Sequence, residues 1–467
     1  MKSLLPDFSP ARENPAFRRL LAGGLLSGLG GSMTSFAIVL QIWDDSRSSL
    51  AVGLLGLTFV PVLIIGLLGG SIADVVDRRK LALVTSAGLM AVSAAYAVQA
   101  YAQFGRLWLL YLLAGAQAVL QATSAPSRRT FVPRLVPADQ LTAAIALNTL
   151  AGRITMLFGP ALAGVIAGAF GLRSCYAVDT ISFVASLYAT ARLPAMRPPP
   201  PEAETAVGPG VGRSGSGRSG SGTSGSGRSG TGGSARARRG PPRPSLRATA
   251  EGLRFIRRRP VLVAAFLTDL DAMLLGLPVA IFPALNAAHF GGRPQNLGLL
   301  NAAVGVGGLL SAAMSGPTGR VSRQGQGLLV GTMIWGAAIA CFGLTRDLPL
   351  ALVMLAVAGA ADTLTVTFRA SIVQVLTPDE FRGRISSVEY IVGTGGAPLG
   401  NVESGTVASL TSPVFSAVSG GVGCLAIAAA IALLFPALTR YRARATTATL
   451  TLSPSSPASV RVPQPPR

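Results

Sequence analysis

Charge is scarce in this chain: 13% of its 467 residues are Asp, Glu, Lys or Arg, about half the share in soluble domains. Acids are the scarcest, 19 against 40 Lys and Arg, and histidine occurs once, at His289. So little charge cannot cover the surface of a soluble globular domain of this length, which excludes that class. The three cysteines, Cys175, Cys341 and Cys424, stand far apart with no CxxC spacing. Neither a disulfide framework nor a zinc site follows from them, and with a single histidine no metal and no cofactor is expected. There is no GxxxxGK[ST], so no phosphate-cradling loop of an ATP-driven pump.

What is present is apolar length. Half of the residues are hydrophobic and the mean hydropathy is +0.52. A bilayer core takes roughly 20 consecutive apolar residues per helix. Twelve such runs occur: Arg19–Trp43, Leu50–Ala73, Lys80–Gln103, Leu107–Pro126, Ala143–Ala167, Arg173–Leu193, Pro260–Leu285, Asn296–Ser315, Gly325–Leu344, Pro349–Arg369, Ile385–Leu410 and Val414–Pro436. Barrel strands would be shorter and alternating, so the expectation is an all-α membrane protein of twelve transmembrane helices. The first run follows Arg18 and Arg19 but is too long for a signal peptide and stays in the membrane.

A net charge of +21 would suit nucleic acid, yet its placement argues for a membrane instead. Basic residues cluster after even-numbered runs (Arg78, Arg79, Lys80; Arg128, Arg129, Arg134; Arg320, Arg323; Arg382, Arg384) and near the two ends. Connections after odd-numbered runs hold single arginines: Arg47, Arg106, Arg173, Arg293 and Arg346. This asymmetry predicts a multi-pass cell (inner) membrane protein with both termini and the central linker cytoplasmic, its partner the lipid bilayer and not nucleic acid.

Four segments follow: an N-terminal six-helix bundle at 1–193, a linker at 194–244, a C-terminal six-helix bundle at 245–441 and a tail at 442–467. The linker, with "RSGSGRSGSGTSGSGRSGTGGSARARRG", is too rich in Gly, Ser, Arg and Pro to bury apolar surface, so linker and tail are expected to be disordered. After it, Leu246, Ala250, Leu253 and Ile256 at helical spacing predict a short amphipathic helix on the inner face, capped by Ser245.

The halves repeat one another at an offset of 241 positions. That offset lays Ser27 on Thr268, Arg128 on Arg369, Pro137 on Pro378, and Gly152, Gly159 and Gly164 on Gly393, Gly400 and Gly405. Helix one therefore pairs with seven and five with eleven, as two parallel six-helix repeats.

The connection after the second run, "GGSIADVVDRRKL", resembles the signature of the major facilitator superfamily. The resemblance implies a conformational latch built from Gly70, Asp74, Arg78 and Arg79, with Asp74 the acid and Arg78 its basic partner. Val75 and Asp77 depart from the general pattern, and the second-half counterpart has Gly319 near the acid position. In helix five, "FGPALAG" resembles the family's antiporter motif through Gly159, Pro160 and Gly164, with Ala163 replacing one glycine. Small residues there allow close helix approach and proline permits bending. "LPVAIFPAL", "TPDEFRGRISSV" and "SPVFSAVSGG" look like the enterobactin-type siderophore exporter and multidrug efflux branch. The resemblance implies the major facilitator fold, a monomer, and export of small-molecule cargo, a drug-like compound or siderophore, by alternating access; proton antiport is expected from the buried acids below and is not carried over from the resemblance. Helix four lacks the membrane arginine of many proton-coupled drug exporters. An importer in the same fold is the alternative, and a polytopic membrane enzyme the remoter one, since no nucleophile or metal cluster is visible.

A charge at a helix centre costs at least about 2.5–3.5 kcal/mol in a membrane, so each buried ionisable residue is a functional candidate. They are Arg153, Asp179, Asp269, Asp271, Asp362, Glu389 and Glu403. Arg153 and Glu389 lie near the cytoplasmic boundary and are expected to be structural. With Arg153 the best buried cation and off-centre, neutral or hydrophobic cargo is favoured. Asp269 and Asp271, two apart, point about 200° from each other on a helix and need separate roles. Asp269 shares a stripe with Ala265, Ala272 and Gly276, whose helix-one equivalents are Gly24, Gly28, Gly31 and Ser35. Such a stripe faces protein or a cavity. Asp269 with Asp362 leads as the proton-coupling pair, ahead of Asp179 and of Asp271, which is expected to share a hydrogen bond with Thr268.

Overall fold

The computed structural model describes residues 7–68, 77–129, 131–192, 246–276, 278–314 and 321–442. These residues form twelve long elements, here α1 to α12, and no strand among them. The first half holds α1 (Pro15–Ser46), α2 (49–68), α3 (Arg78–Tyr101), α4 (Leu107–Arg129), α5 (Leu141–Phe170) and α6 (Arg173–Ala191). The second half holds α7 (Pro260–His289), α8 (Pro294–Ala313), α9 (Gln324–Leu344), α10 (Leu348–Leu376), α11 (Asp379–Leu410) and α12 (Pro413–Leu434), preceded by a surface helix, Leu246–Arg257. The expected helix cap at Ser245 and most of the linker lie outside the described residues.

Local chemistry explains where these helices begin. Proline stands in the first turn of α1, α7, α8, α10 and α12, where a missing N–H costs nothing. Side chains of Asn14, Asp77, Asp347 and Ser412 accept from first-turn amides of α1, α3, α10 and α12. Among the described residues nine helices are long and apolar enough to cross a membrane. The other three, α2, α6 and α11, fall short of that length or apolarity.

Two elements are broken rather than continuous. In α2, helix Ser49–Leu54 passes through a tighter 3-10 turn, Leu55–Thr58, into Phe59–Leu68. In α7, Pro260–Leu275 ends at Gly276, and the chain resumes through a 3-10 turn, Val279–Ile281, into Phe282–His289. A single helix was expected over Pro260–Leu285. Pro278 and Pro283 cannot donate to the preceding turn, and the freed Ala280 N–H donates instead to Asn401 Oδ1 of α11 at 3.2 Å. Two ends also extend past expectation: α10 runs on beyond Arg369 to Leu376, and α11 starts at Asp379.

The repeat is visible in the packing. α1 lies against α5 and α6, and α7 correspondingly against α11 and α12. A Cβ built on Gly159 would collide with Ser32 of α1, and one on Gly400 with Met273 and Leu274 of α7. Ser32 and Met273 are themselves 241 positions apart, so one offset relates both partners of the contact.

Among the described residues the halves meet most extensively where α5 crosses α8 and α2 crosses α11. A Cβ at Gly164 would fall 2.7 Å from the Pro294 carbonyl oxygen and 3.0 Å from the Gly298 Cα. At the other crossing, a Cβ at Gly405 would fall 2.5 Å from the Ser49 carbonyl oxygen and 3.1 Å from the Gly53 Cα. Only glycine permits backbones this close, and the two crossings are again one repeat apart. Overpacking at such a contact costs about 1–3 kcal/mol. Gly164→Leu and Gly405→Leu should therefore each suppress transport while membrane levels and six-helix halves persist, as read by cargo flux and thermal unfolding in detergent.

Candidate transport site

The longer α10 places Arg369 two turns inside the helix, on the same face as Asp362 seven residues earlier. Its guanidinium reaches two other helices. Nε lies 3.0 Å from Asp269 Oδ1 on α7, and Nη1 donates to Glu389 Oε1 on α11 at 3.3 Å. Side chains of Arg369 and Asp269 are 14% and 10% exposed, whereas Glu389, at 33%, reaches open space. Asp362 lies within electrostatic reach of Asp269, Arg369 and Arg153 of α5. Two carboxylates of neighbouring helices thus pair with one largely buried cation, and Asp362, two turns earlier on the same helix, feels its charge and that of Arg153 from the other half.

The structure brings Asp269 and Asp362 into one cluster and keeps Asp179 and Asp271 out of it. The equivalent stripe on α1 faces open space at Gly24 and Gly31, where an added Cβ would meet nothing within 4 Å. Asp179, buried on α6, accepts from Thr34 Oγ1 of α1 at 2.7 Å and Ser93 Oγ of α3 at 2.8 Å. Asp271, also buried, faces Cys424 Sγ of α12 at 3.6 Å. Thr268 is not its partner: that hydroxyl donates back to the Ala264 carbonyl at 2.8 Å. The two acids occupy mirrored places. A Cβ on Gly30 of α1 would sit 2.5 Å from Asp179 Oδ1, and Gly30 is the repeat equivalent of Asp271. Each half therefore puts one acid into its α1–α6 or α7–α12 contact, from opposite sides.

Of the latch residues, Gly70 and Asp74 lie outside the described residues, as does the side chain of Arg78. Arg79 Nη2 donates to the Ala191 carbonyl at the end of α6 at 2.5 Å, a cation on a helix C-terminus. Asp77 caps α3, accepting from Arg79 N at 2.8 Å. In α5, Gly159 packs on Ser32 and Gly164 makes the crossing with α8, so the "FGPALAG" segment joins both contacts around Pro160.

Arg153 is expected to be the best buried cation; it is exposed, and the more buried cation is Arg369, its side chain 14% exposed. Sequence reading missed Arg369 by ending the tenth helix there. The signal was available: Arg369 stands at i+7 from Asp362, and the first strong stop is Thr377-Pro378.

A family model for the Major Facilitator Superfamily matches residues 20–401. The chain belongs to the major facilitator superfamily. It is therefore a multi-pass membrane transporter of the secondary type and not an enzyme. It is 25% identical over 451 residues to the enterobactin exporter EntS of Shigella flexneri, covering 94% of this chain and 97% of that one. It is 24% identical over 443 residues to EntS of Escherichia coli strain SMS-3-5, with the same coverage. Among solved structures, the nucleoside transporter NupG superposes with a TM-score of 0.66 at 13% identity, over 91% of this chain and 99% of that one. A bacterial homologue of the iron transporter ferroportin, in its inward-facing state, does so at 0.62 and 15% identity, over 91% and 99%. These structures share the two-repeat fold.

Removing one partner of a buried ion pair leaves an uncompensated charge, at a cost of about 3–5 kcal/mol. Arg369→Ala should lower thermal stability in detergent markedly, and Asp269→Asn added to it should restore a large part of the loss. Additive losses in that double-mutant cycle would show the pair to be energetically silent.

Proposed function

We propose that the chain is a proton-coupled exporter of a small organic molecule, a drug-like compound or a siderophore, working as a monomer with both termini and the linker cytoplasmic. The observation that carries the reading is Arg369, held between Asp269 of α7 and Glu389 of α11 with Asp362 on its own helix face. A structural ion pair needs one acid per cation. Here acids on two neighbouring helices share one largely buried arginine, so protonating one changes which helix the guanidinium holds. Arg369 with Asp269 deprotonated ties α10 to α7; with Asp269 protonated the cation is left to Glu389 and Asp362. Such exchange gives the proton a differential effect on two arrangements of the same helices, which is what coupling requires.

In the orientation that positive-inside asymmetry favours, the glycine crossings at Gly164 and Gly405 lie towards the outer face, and the structure is closed outward. Cargo then enters from the cytoplasm, and rocking of the halves separates α5 from α8 and α2 from α11. Latching at Asp74, Arg78 and Arg79 would hold the opposite arrangement. The export direction and cargo class follow the likeness to the enterobactin exporters over nearly the whole of both chains. Arg369 is already balanced by carboxylates, so the cluster offers no spare buried cation, which favours neutral or hydrophobic cargo.

In proteoliposomes loaded with a lipophilic fluorescent dye, an imposed proton gradient should accelerate wild-type transport. Asp269→Asn and Asp362→Asn should keep downhill exchange and lose the acceleration; full gradient-driven transport by both variants overturns the coupling assignment. A cysteine placed at Ser214 in a cysteine-free background should react with an impermeant maleimide only after cells are opened. Labelling of intact cells would reverse the orientation.

A further inference from the structure

The surface helix Leu246–Arg257 is fixed against α11 by an ordered set of contacts. Phe255 stacks on Phe381 with ring centroids 4.4 Å apart, and the guanidinium groups of Arg259 and Arg384 lie over those rings at 4.5 and 4.8 Å. Glu251 pairs with Arg384 at 3.0 Å, and Arg259 Nη1 donates to the Leu376 carbonyl at 2.6 Å. Gly252 lets the helix close on its neighbour, since a Cβ there would fall 2.6 Å from the Arg384 carbonyl oxygen. This inward face uses the helix's only acid, Glu251.

Its outward face is different. Leu253 is 50% exposed, and Arg254, Arg257 and Arg258 are exposed with no ion pair among the described residues. Arg258 stands two residues before Pro260, the first residue of α7, so the patch sits where a membrane span begins. On α11, Asp379 is paired with Arg382 at 3.0 Å, and Glu380 beside Phe381 is the one further exposed acid in that first turn. The flanking sequence adds little compensating charge: the linker 194–244 has Glu202 and Glu204 against eight arginines, and the tail 443–467 has no Asp or Glu. An apolar side chain flanked by exposed arginines at a helix lying along the end of a span fits the interface of an anionic bilayer, leucine into the acyl boundary and guanidinium on phosphate.

We propose that the outward face of this helix, through Arg254, Arg257 and Arg258, binds the headgroups of anionic phospholipids. Because guanidinium groups pair phosphate bidentately, phosphatidylglycerol and cardiolipin are the ligands and phosphatidylcholine, whose phosphate is masked by choline, is not. The inference does not rest on the direction of transport or on proton coupling.

Native mass spectrometry of the full-length protein, offered equal amounts of phosphatidylglycerol and phosphatidylcholine, tests it. Wild type should retain phosphatidylglycerol roughly tenfold better, a preference unmoved by excess glycerol phosphate. The Arg254→Gln, Arg257→Gln, Arg258→Gln triple should lose most of that preference at an unchanged thermal midpoint, and the corresponding lysine triple should keep part of it. Arg213→Gln, Arg218→Gln and Arg228→Gln in the linker should leave it intact. An undiminished preference in the glutamine triple, or a loss confined to the linker variant, overturns the proposal.

Discussion

A guanidinium taken out of water must bring counter-charge with it, and Arg369 settles which helices of the second half have to converge. Removing a lone ion from water costs several kcal/mol even after relaxation, and mutual attraction offsets this only when geometry is good. Ion pairs at 3.0 Å to α7 and 3.3 Å to α11 supply that attraction, and the second is also a hydrogen bond. They also make the arrangement conditional. A carboxylate that takes a proton stops being a counter-ion, so on the coupling proposed above the register of these helices follows a protonation state. Hydrophobic packing alone has no such dependence, because lipid and helix surface are equally apolar.

The remaining membrane contacts are of the kind that either fit closely or separate. Gly164 against Gly298 and Gly405 against Gly53 bring backbones together with no side chain between them, and neither crossing carries an ion pair among the described residues. Contacts of this sort are shallow and can be made and broken as units. Within each half, by contrast, a buried acid spans the first and last helices: Asp179 holds hydroxyls of α1 and α3, and Asp271 faces the Cys424 thiol. The halves are thus internally cross-linked by polar contacts and joined to each other by glycine crossings and apolar packing. That division is what rigid-body rocking between two repeats demands.

The architecture was legible because its causes are long-range in sequence and simple in chemistry. Apolar length marks the helices, and an offset of 241 residues relates contacts as specific as Gly159 on Ser32 and Gly400 on Met273 to one another. Local geometry was less legible. Pro278 and Pro283 were visible in a run that was still read as one helix, since apolar composition does not distinguish a continuous span from a broken one. Ending the tenth helix at its first charge hid Arg369, although membrane helices carry functional charge inside them. Helical geometry separated Asp269 from Asp271 correctly. It could not supply the partner of Asp271, because a cysteine 153 residues away is brought there only by tertiary packing.

Paired spin labels report most directly on whether protonation of the Arg369 cluster moves the halves. With labels at Phe170 and Arg293, beside the α5–α8 crossing, and separately at Asp139 and Asp379 on the opposite end, electron–electron distances are measured across a pH series. The account predicts two distance populations that exchange in opposite directions at the two ends, and a response to pH that disappears in Asp269→Asn. One pH-insensitive population at both ends, or an unaltered response in that variant, would contradict it.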